Sequence, residues 1–412
     1  MVASPSLKAQ FTDQSEMLGI LSTAPSGYNG SGMSVFDFNQ DGWDDISIGR
    51  GTQGPIFLVN NEGVFEPAGF VIPNANNRLI NMILWSDYDA DGDMDLLITK
   101  FLGPVELWQN DGDFNFTEVA LVSGLLPGNY NHLGAAYCDF DHDGDLDLYI
   151  AKFYHPNFNT GNQFAGALYK NNGDGTFIDM TEELGVYLNP RTIFQPVFLD
   201  YDNDGWEDLY LITDRIFSEN TLFRNNGDGT FINVTQESGT GIMICAMTGT
   251  VGDHDNDGDL DIYVTNGPAG SKFLNNNGNG TFSEMAAALG ITASGHTGWG
   301  SLWIDYDNDG FQDLFVGKTT NTLPTFPGNR FFKNEGGVAF TQMIQEVGLL
   351  NDIIETYVVA MGDFNRDGYN DIVLNNEVGY FPKLYMNMGG ANHHLSVSLR
   401  GIVSNSQGIG SW

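Results

Sequence analysis

The densest chemistry in this sequence is DHDNDGDLD, Asp253 to Asp261, with five carboxylates in nine residues. Like charges that close repel unless a cation gathers them. Six further stretches follow the same plan: DFNQDGWDD from Asp37, DYDADGDMD from Asp87, DFDHDGDLD from Asp139, DYDNDGWED from Asp200, DYDNDGFQD from Asp305 and DFNRDGYND from Asp363. Aligned on the first Asp, positions one, three, five and nine carry a carboxylate or amide oxygen, and position six is always Gly. The candidate ligands are Asp37, Asn39, Asp41 and Asp45 in the first copy, then Asp87, Asp89, Asp91 and Asp95, and Asp139, Asp141, Asp143 and Asp147. Asp200, Asp202, Asp204 and Asp208 follow, with Asp253, Asp255, Asp257 and Asp261, Asp305, Asp307, Asp309 and Asp313, and finally Asp363, Asn365, Asp367 and Asp371. Position seven belongs to the set as well, as Trp43, Asp93, Asp145, Trp206, Asp259, Phe311 and Tyr369.

Oxygen ligands at alternate positions of a tight loop, with Gly at the sharp turn, suit a hard cation. Calcium tolerates such an irregular cage, whereas magnesium demands stricter octahedral geometry. The ligand positions lack His and Cys, which argues against zinc. An EF-hand would need a bidentate Glu at position twelve. Here that position is Ile48, Ile98, Ile150, Leu211, Val264, Val316 and Leu374, so no copy is an EF-hand. We therefore expect about seven calcium ions, one per repeat, each bound with the weak affinity typical of extracellular modules.

Position ten is also aliphatic in every copy, and two apolar residues spaced by two define a strand. The loop thus joins two β-strands. After each loop comes a second phrase, such as LYKNNGDGTF or FLNNNGNGTF, whose Asn-Gly and Asp-Gly steps between apolar residues are hairpin chemistry with φ > 0 at both central positions. Each unit therefore holds four strands, and seven four-stranded units arranged radially make an all-β, seven-bladed β-propeller. Residues 11–20, FTDQSEMLGI, resemble a fourth strand with no blade before them, while the last blade stops after its third strand at LYMNMGG. The N-terminal strand should complete blade seven and remove an open edge.

Composition agrees with this architecture. Among 412 residues, aromatics make up 13% and glycines number 52, which fits packed β-structure with many turns rather than disorder. The formal charge of -37, from 53 acids and 16 bases, excludes nucleic acid or an anionic membrane as a general partner. Two cysteines do not form a disulfide framework, and Cys138 and Cys245 are expected to be buried thiols. No run of about 18 apolar residues occurs, and the first ten residues lack the pattern of an export signal, so membrane insertion is not expected.

The repeats resemble FG-GAP/VCBS repeats, the units of the integrin α-subunit propeller and of secreted and lectin-like propellers. That resemblance covers residues 8–390. The segment 391–412, which contains NHHLSVSLRGIVSNSQGIG, resembles the opening of the ASPIC/UnbV domain that follows such repeats in cartilage-acidic-protein-like proteins, and the expectation is a chain cut at the start of that region. The resemblance implies an extracellular binding or adhesion module for a protein or glycan, secreted or at the cell surface. A structural spacer or assembly subunit and a polysaccharide lyase or hydrolase are the alternatives.

Metal loops and Asn-Gly turns both fall at one end, the bottom, so recognition is expected at the top, where the connections vary. Catalysis there would need a general base and a charge-stabilising group at one mouth, which the seven His residues do not supply in any obvious cluster. Position fourteen, at the top of the second strand, is Arg50, Lys100, Lys152 and Lys318 in four copies. A row of bases on an acidic protein could contact an anionic ligand through Arg50, Lys100 and Lys152, or each base could simply satisfy carbonyls and acids nearby, while Tyr154 and His155, with Tyr130, Phe153 and Phe158, could form a sugar-stacking platform or pack on neighbouring loops.

Overall fold

The computed structural model describes residues 10–19, 31–73, 77–125, 128, 130–153, 166–189, 191–319, 328–349, 354–376 and 380–394. Every described sheet is four-stranded and antiparallel, and there are seven of them. Blade one consists of Met33–Phe36, Asp45–Arg50, Gln53–Asn61 and Val64–Pro67. Blades two to six begin with the inner strands Ile80–Ser86, His132–Cys138, Ile193–Leu199, Gly249–Gly252 and Thr297–Ile304, and each runs outward through three more strands in chain order.

Blade seven takes its first three strands, Thr356–Gly362, Asp371–Asn376 and Lys383–Asn387, from the end of the chain and its fourth, Phe11–Asp13, from the beginning. Phe11 pairs with Asn387 and Asp13 with Tyr385, so the expected seam forms and covers the edge of the third strand of that blade. The short 3-10 turn Ser15–Leu18 then carries the chain on to blade one, burying Leu18 there.

The core is divided among the blade junctions rather than centred. Seven buried apolar clusters occur, one between each pair of neighbours: Leu148 and Tyr169 pack on Tyr88 and Leu97, for example, and Phe364 and Leu384 of blade seven pack on Ile46 and Phe65 of blade one. Positions ten and twelve of the repeat face the cluster shared with the preceding blade, as Leu148 and Ile150 do, and position eleven faces the cluster shared with the next, as Tyr149 does, which is why the second strands are buried along their length. Closure of the ring therefore depends on the junction between blades seven and one as much as on the other six.

Positive φ falls on two adjacent hairpin residues, as expected, in blades one (Glu62 52°, Gly63 89°) and six (Gly336 72°, Gly337 79°), whereas the hairpins of blades three, four and five differ in detail. In blade three the loop spans Asn172 to Thr176, and positive φ falls only on Gly173 (70°) and Gly175 (78°), not on two adjacent residues. Side chains set this wider turn: the Gly173 N–H donates to Asn171 Oδ1 and the Thr176 N–H to Asp174 Oδ1. Cys138 is buried as expected, whereas Cys245 is half-buried, and both are free thiols.

Candidate metal centres and the two ends of the propeller

Each acidic loop first folds on itself. The position-one carboxylate accepts N–H groups from positions five and six, as Asp200 does from Asp204 (3.1 Å) and Gly205 (2.8 Å). The position-five carboxylate accepts the N–H of position seven, as Asp204 does from Trp206 (3.0 Å). Gly at position six has φ between 85° and 98° in all seven copies, a region that a side chain would strain. The sequence periodicity thus encodes a loop whose oxygens converge.

Position nine anchors the loop to the blade. Asp208 Oδ1 accepts the Asn225 N–H (2.7 Å) and its Oδ2 the Tyr201 N–H (3.1 Å), and the same pair of bonds recurs at Asp45, Asp95, Asp147, Asp261, Asp313 and Asp371. Burial pushes six of these carboxyls up, to about 7 at Asp45, about 8 at Asp95, Asp208, Asp313 and Asp371 and about 9 at Asp147, against the opposing pull of the N–H groups.

Carboxylate oxygens of positions one, three and nine lie within 4.8 Å of one another in Asp87, Asp89 and Asp95, in Asp139, Asp141 and Asp147, and in Asp200, Asp202 and Asp208. In blade five Asp253, Asp255 and Asp257 do so. Position three carries the clearest sign of an ion. Oδ1 of Asp89, Asp141, Asp202 and Asp307 is buried with no hydrogen-bond partner. A buried anionic oxygen without a donor is costly, and a cation resolves it. The donor set, all oxygen and mostly carboxylate, fits a hard cation such as calcium.

The two copies with Asn at position three are built differently. Asn39 Nδ2 donates to Asp41 Oδ2 (3.0 Å) and Asn365 Nδ2 to Asp367 Oδ2 (3.1 Å), so an amide partly fills the role of a cation there. In blades two, three and six a third-strand side chain reaches position three instead. Gln109 Nε2 donates to Asp89 (2.6 Å), Lys170 Nζ to Asp141 and Asp143, and Lys333 Nζ to Asp307 and Asp309. The corresponding residues of blades one and seven are Val59 and Met386. Sequence reasoning assigned these phrases to turn chemistry and missed the charge partners; their signal was a polar residue just before the recurring third-strand Asn.

The aromatic residues at position seven are packed, not pointed at a ligand. Trp206 stacks on His142 of the preceding blade (4.1 Å between ring centroids), and Trp43 lies under the Arg366 guanidinium (4.7 Å). Position-four side chains link one loop to the next: Gln40, Asn256, Asn308 and Asn203 donate to the position-six carbonyls Gly92, Gly310, Gly368 and Gly258, and Arg366 donates to Gly42 across the seam. Ala90 has no such donor, and His142 bonds Glu207 instead (3.1 Å). The loops are thus joined around nearly the whole bottom.

A further residue type holds loops, turns and blades together. The third-strand Asn225 donates to Glu207 O (3.3 Å) before its own position nine and to Phe140 O (2.8 Å) in the preceding blade, while its Oδ1 accepts the Gly227 N–H (3.0 Å). Asn60, Asn171, Asn276, Asn334 and Asn387 make the same cross-blade bond, to Phe364, Tyr88, Tyr201, His254 and Tyr306. His254 stands where other copies have Phe or Tyr. Burial lowers its pKa, but the hydrogen bond to Asp261 (2.6 Å) and the surrounding carboxylates outweigh that and raise it.

At the top, the expected row of ligand-contacting bases is not available. Lys100 is fully buried in an ion pair with Glu106, and Lys152 is buried with Nζ 5.3 Å from the Tyr130 ring centroid. Arg50 is half-buried and donates to Gly54 O (3.2 Å), and Lys318 is buried on the carbonyls of Ala293 and His296. Lys100, Lys152 and Lys318 are closed in between the top connections, and the expectation that Lys100 and Lys152 meet an anionic ligand is corrected; Arg50 keeps part of its side chain exposed. Tyr154, His155 and Phe158 lie outside the described residues.

Seven radial four-stranded sheets closed by a terminal strand, with an acidic loop after each inner strand, define a repeat propeller of one class. The family model described as FG-GAP-like repeat matches residues 37–98, 87–150, 200–264 and 253–316, more than half of the chain, and the chain belongs to that family. It is similar to Cartilage acidic protein 1: 26% identical to the mouse protein over 326 residues (69% of this chain, 46% of the relative) and 22% identical to the human protein over 366 residues (80% and 52%). The chain spans about half the length of these relatives. Two crystal structures of BBS1N in complex with ARL6DN, soaked with lead and with mercury, match with TM-scores of 0.56 and 0.54 at 9% identity, covering 95% and 92% of this chain and 99% and 96% of theirs. At that identity the likeness is one of fold. Among the described residues no helix is long and apolar enough to cross a membrane.

Proposed function

We propose that this chain is a calcium-stabilised propeller that acts outside the cytoplasm as a non-catalytic binding module for a protein or glycan. The observation that carries the metal assignment is the set of unpartnered, buried position-three oxygens in four loops. Positions one, three, five and nine would hold the ion with the position-seven main chain, and bound calcium supplies the positive charge that gathers the carboxylates. Sites of this open, surface type fall in the roughly 10⁻⁴–10⁻³ M range of extracellular modules, which suits a calcium-rich compartment. Similarity to Cartilage acidic protein 1 supports the same placement.

The binding role follows from the division of labour between the ends. The bottom is committed to loops, turns and cross-blade bonds, and the top opens into a central cavity of about 560 Å³ whose lining, among the described residues, holds no carboxylate, imidazole, amine or guanidinium. Such a lining supports holding a ligand rather than acid–base turnover. The test is a glycan array combined with a pull-down from a native surface, run with calcium and with chelator. A ligand retained only with calcium supports the proposal, and a turnover assay that finds polysaccharide cleavage contradicts it.

A further inference from the structure

The central cavity has a built mouth. The inner strands of blades two, three, four, six and seven all shift register at the same height, between Ile80 and Met82, His132 and Ala135, Ile193 and Gln195, Gly298 and Ser301, and Thr356 and Val358. In blades two, four and seven the extra residue is Asn81, Phe194 or Tyr357, and in blade six Trp299 and Gly300 lie in the shift. All of these line the cavity. A bulge re-aims a side chain that regular pairing would place elsewhere, and bulges recur beside functional sites. Five at one level make the mouth a repeated feature.

The side chains so aimed have a consistent chemistry. Trp299 meets Tyr357 edge to face (4.9 Å, 72°) and Phe194 likewise (6.1 Å, 78°), forming a half-exposed aromatic arc over blades four, six and seven. Beside it lie unspent polar groups. Gln195 Oε1 accepts the Gly249 N–H (3.0 Å), but its amide N–H groups, the Trp299 indole N–H and the Asn81 amide oxygen have no partner among the described residues. Ser301 Oγ, deeper in the lining, is buried without one. In a chain of formal charge -37 the described residues of the lining include no charged side chain.

We infer that the mouth binds a neutral sugar residue at the end of a glycan. A pyranose offers an apolar C–H face, which packs on Trp299, Tyr357 and Phe194, and a rim of hydroxyls that both donate and accept, as the Gln195 amide, Asn81 oxygen and indole N–H require. An anionic ligand would lose hydration with no countercharge in the described lining, and the nearby carboxylate of Glu355 accepts the Tyr357 hydroxyl (3.0 Å). A purely apolar ligand would leave the amide and indole groups desolvated and unpaired. The volume suits a small ligand, within the roughly 300–1,000 Å³ of typical sites. This inference rests on the binding-module proposal and places the site on strands of the channel instead of on the top loops.

The experiment uses the full calcium-loaded chain with lactose, cellobiose, mannobiose and N,N′-diacetylchitobiose as probes, and glucuronic acid and sialyllactose as charged comparators. Binding is read by saturation-transfer NMR and titration calorimetry. At least one neutral disaccharide is expected to bind, and Trp299→Ala is expected to weaken it at least tenfold with the melting temperature kept. Tyr357→Ala, on another blade, repeats the test should Trp299→Ala fail to fold. Binding of none of the neutral sugars overturns the inference, as does sugar binding unchanged in both variants. A charged sugar or protein ligand that survives both substitutions overturns the collar while leaving the binding-module proposal in place.

Discussion

Replacing Asn225 with Ala should destabilise the propeller more than its size suggests, because one buried amide serves three partners. Its Nδ2 donates to Phe140 O and Glu207 O and its Oδ1 accepts the Gly227 N–H. A typical internal hydrogen bond contributes about 1 kcal/mol net, and a buried group left without a partner costs about 1–3 kcal/mol. The Gly227 N–H sits in a turn that water reaches, so its loss is small. The Phe140 carbonyl lies inside the junction of blades three and four, so it takes the full penalty. A loss of about 3 kcal/mol follows, measured by urea denaturation in saturating calcium with the slope unchanged. Asn172→Ala is the comparison: that side chain reaches Thr176 Oγ1 on an exposed turn (3.0 Å), and its removal should cost no more than about 0.5 kcal/mol. Equal effects for the two variants would refute the account of the third-strand Asn as a cross-blade staple.

Other expectations follow from the same geometry. Lys100→Met leaves Glu106 buried and should cost about 3–5 kcal/mol, with much of it recovered in Lys100→Met/Glu106→Leu, both read from chemical denaturation. Lys170→Met removes an ammonium that competes for Asp141 and Asp143, so calorimetry should show tighter calcium binding at that loop and a lower melting temperature in chelator. The pH response should reverse with metal. Six position-nine carboxyls, all but that of Asp261, are raised in the fold above their unfolded value, so the metal-free fold holds protons the unfolded chain has released; their contribution to stability in chelator should be greatest below about pH 4 and be lost as pH rises from there through about 7 to 9. In calcium, acid should instead displace the ion and lower the melting temperature. Deleting residues 1–20 exposes the third strand of blade seven, and aggregation by light scattering is the expected result.

The architecture was legible because its signals are local and repeated: aliphatic residues at positions ten and twelve, Gly at six, and an orphan fourth strand at Phe11. The ligand loops were legible for the same reason. The fate of position fourteen was not, because the spacing that puts Lys100 at the top of a strand cannot distinguish an open rim from a slot filled by Glu106. The channel residues were hidden by the bulges. Counting by twos fails after one extra residue, and consecutive residues of an inner strand, such as Phe194, Gln195 and Pro196, line the cavity together. Asn225 and Lys170 sit in phrases that also encode a turn, and their partners in other strands and blades become visible only once the ring closes.

The central claim is that the seven acidic loops hold calcium, and metal stoichiometry tests it most directly. The full chain, dialysed against millimolar calcium in physiological salt and assayed by mass spectrometry of the metal with magnesium as competitor, should retain about seven calcium ions per chain and lose them, with a marked fall in melting temperature, on chelation. Retention of none, with the same melting temperature in calcium and in chelator, would contradict the account.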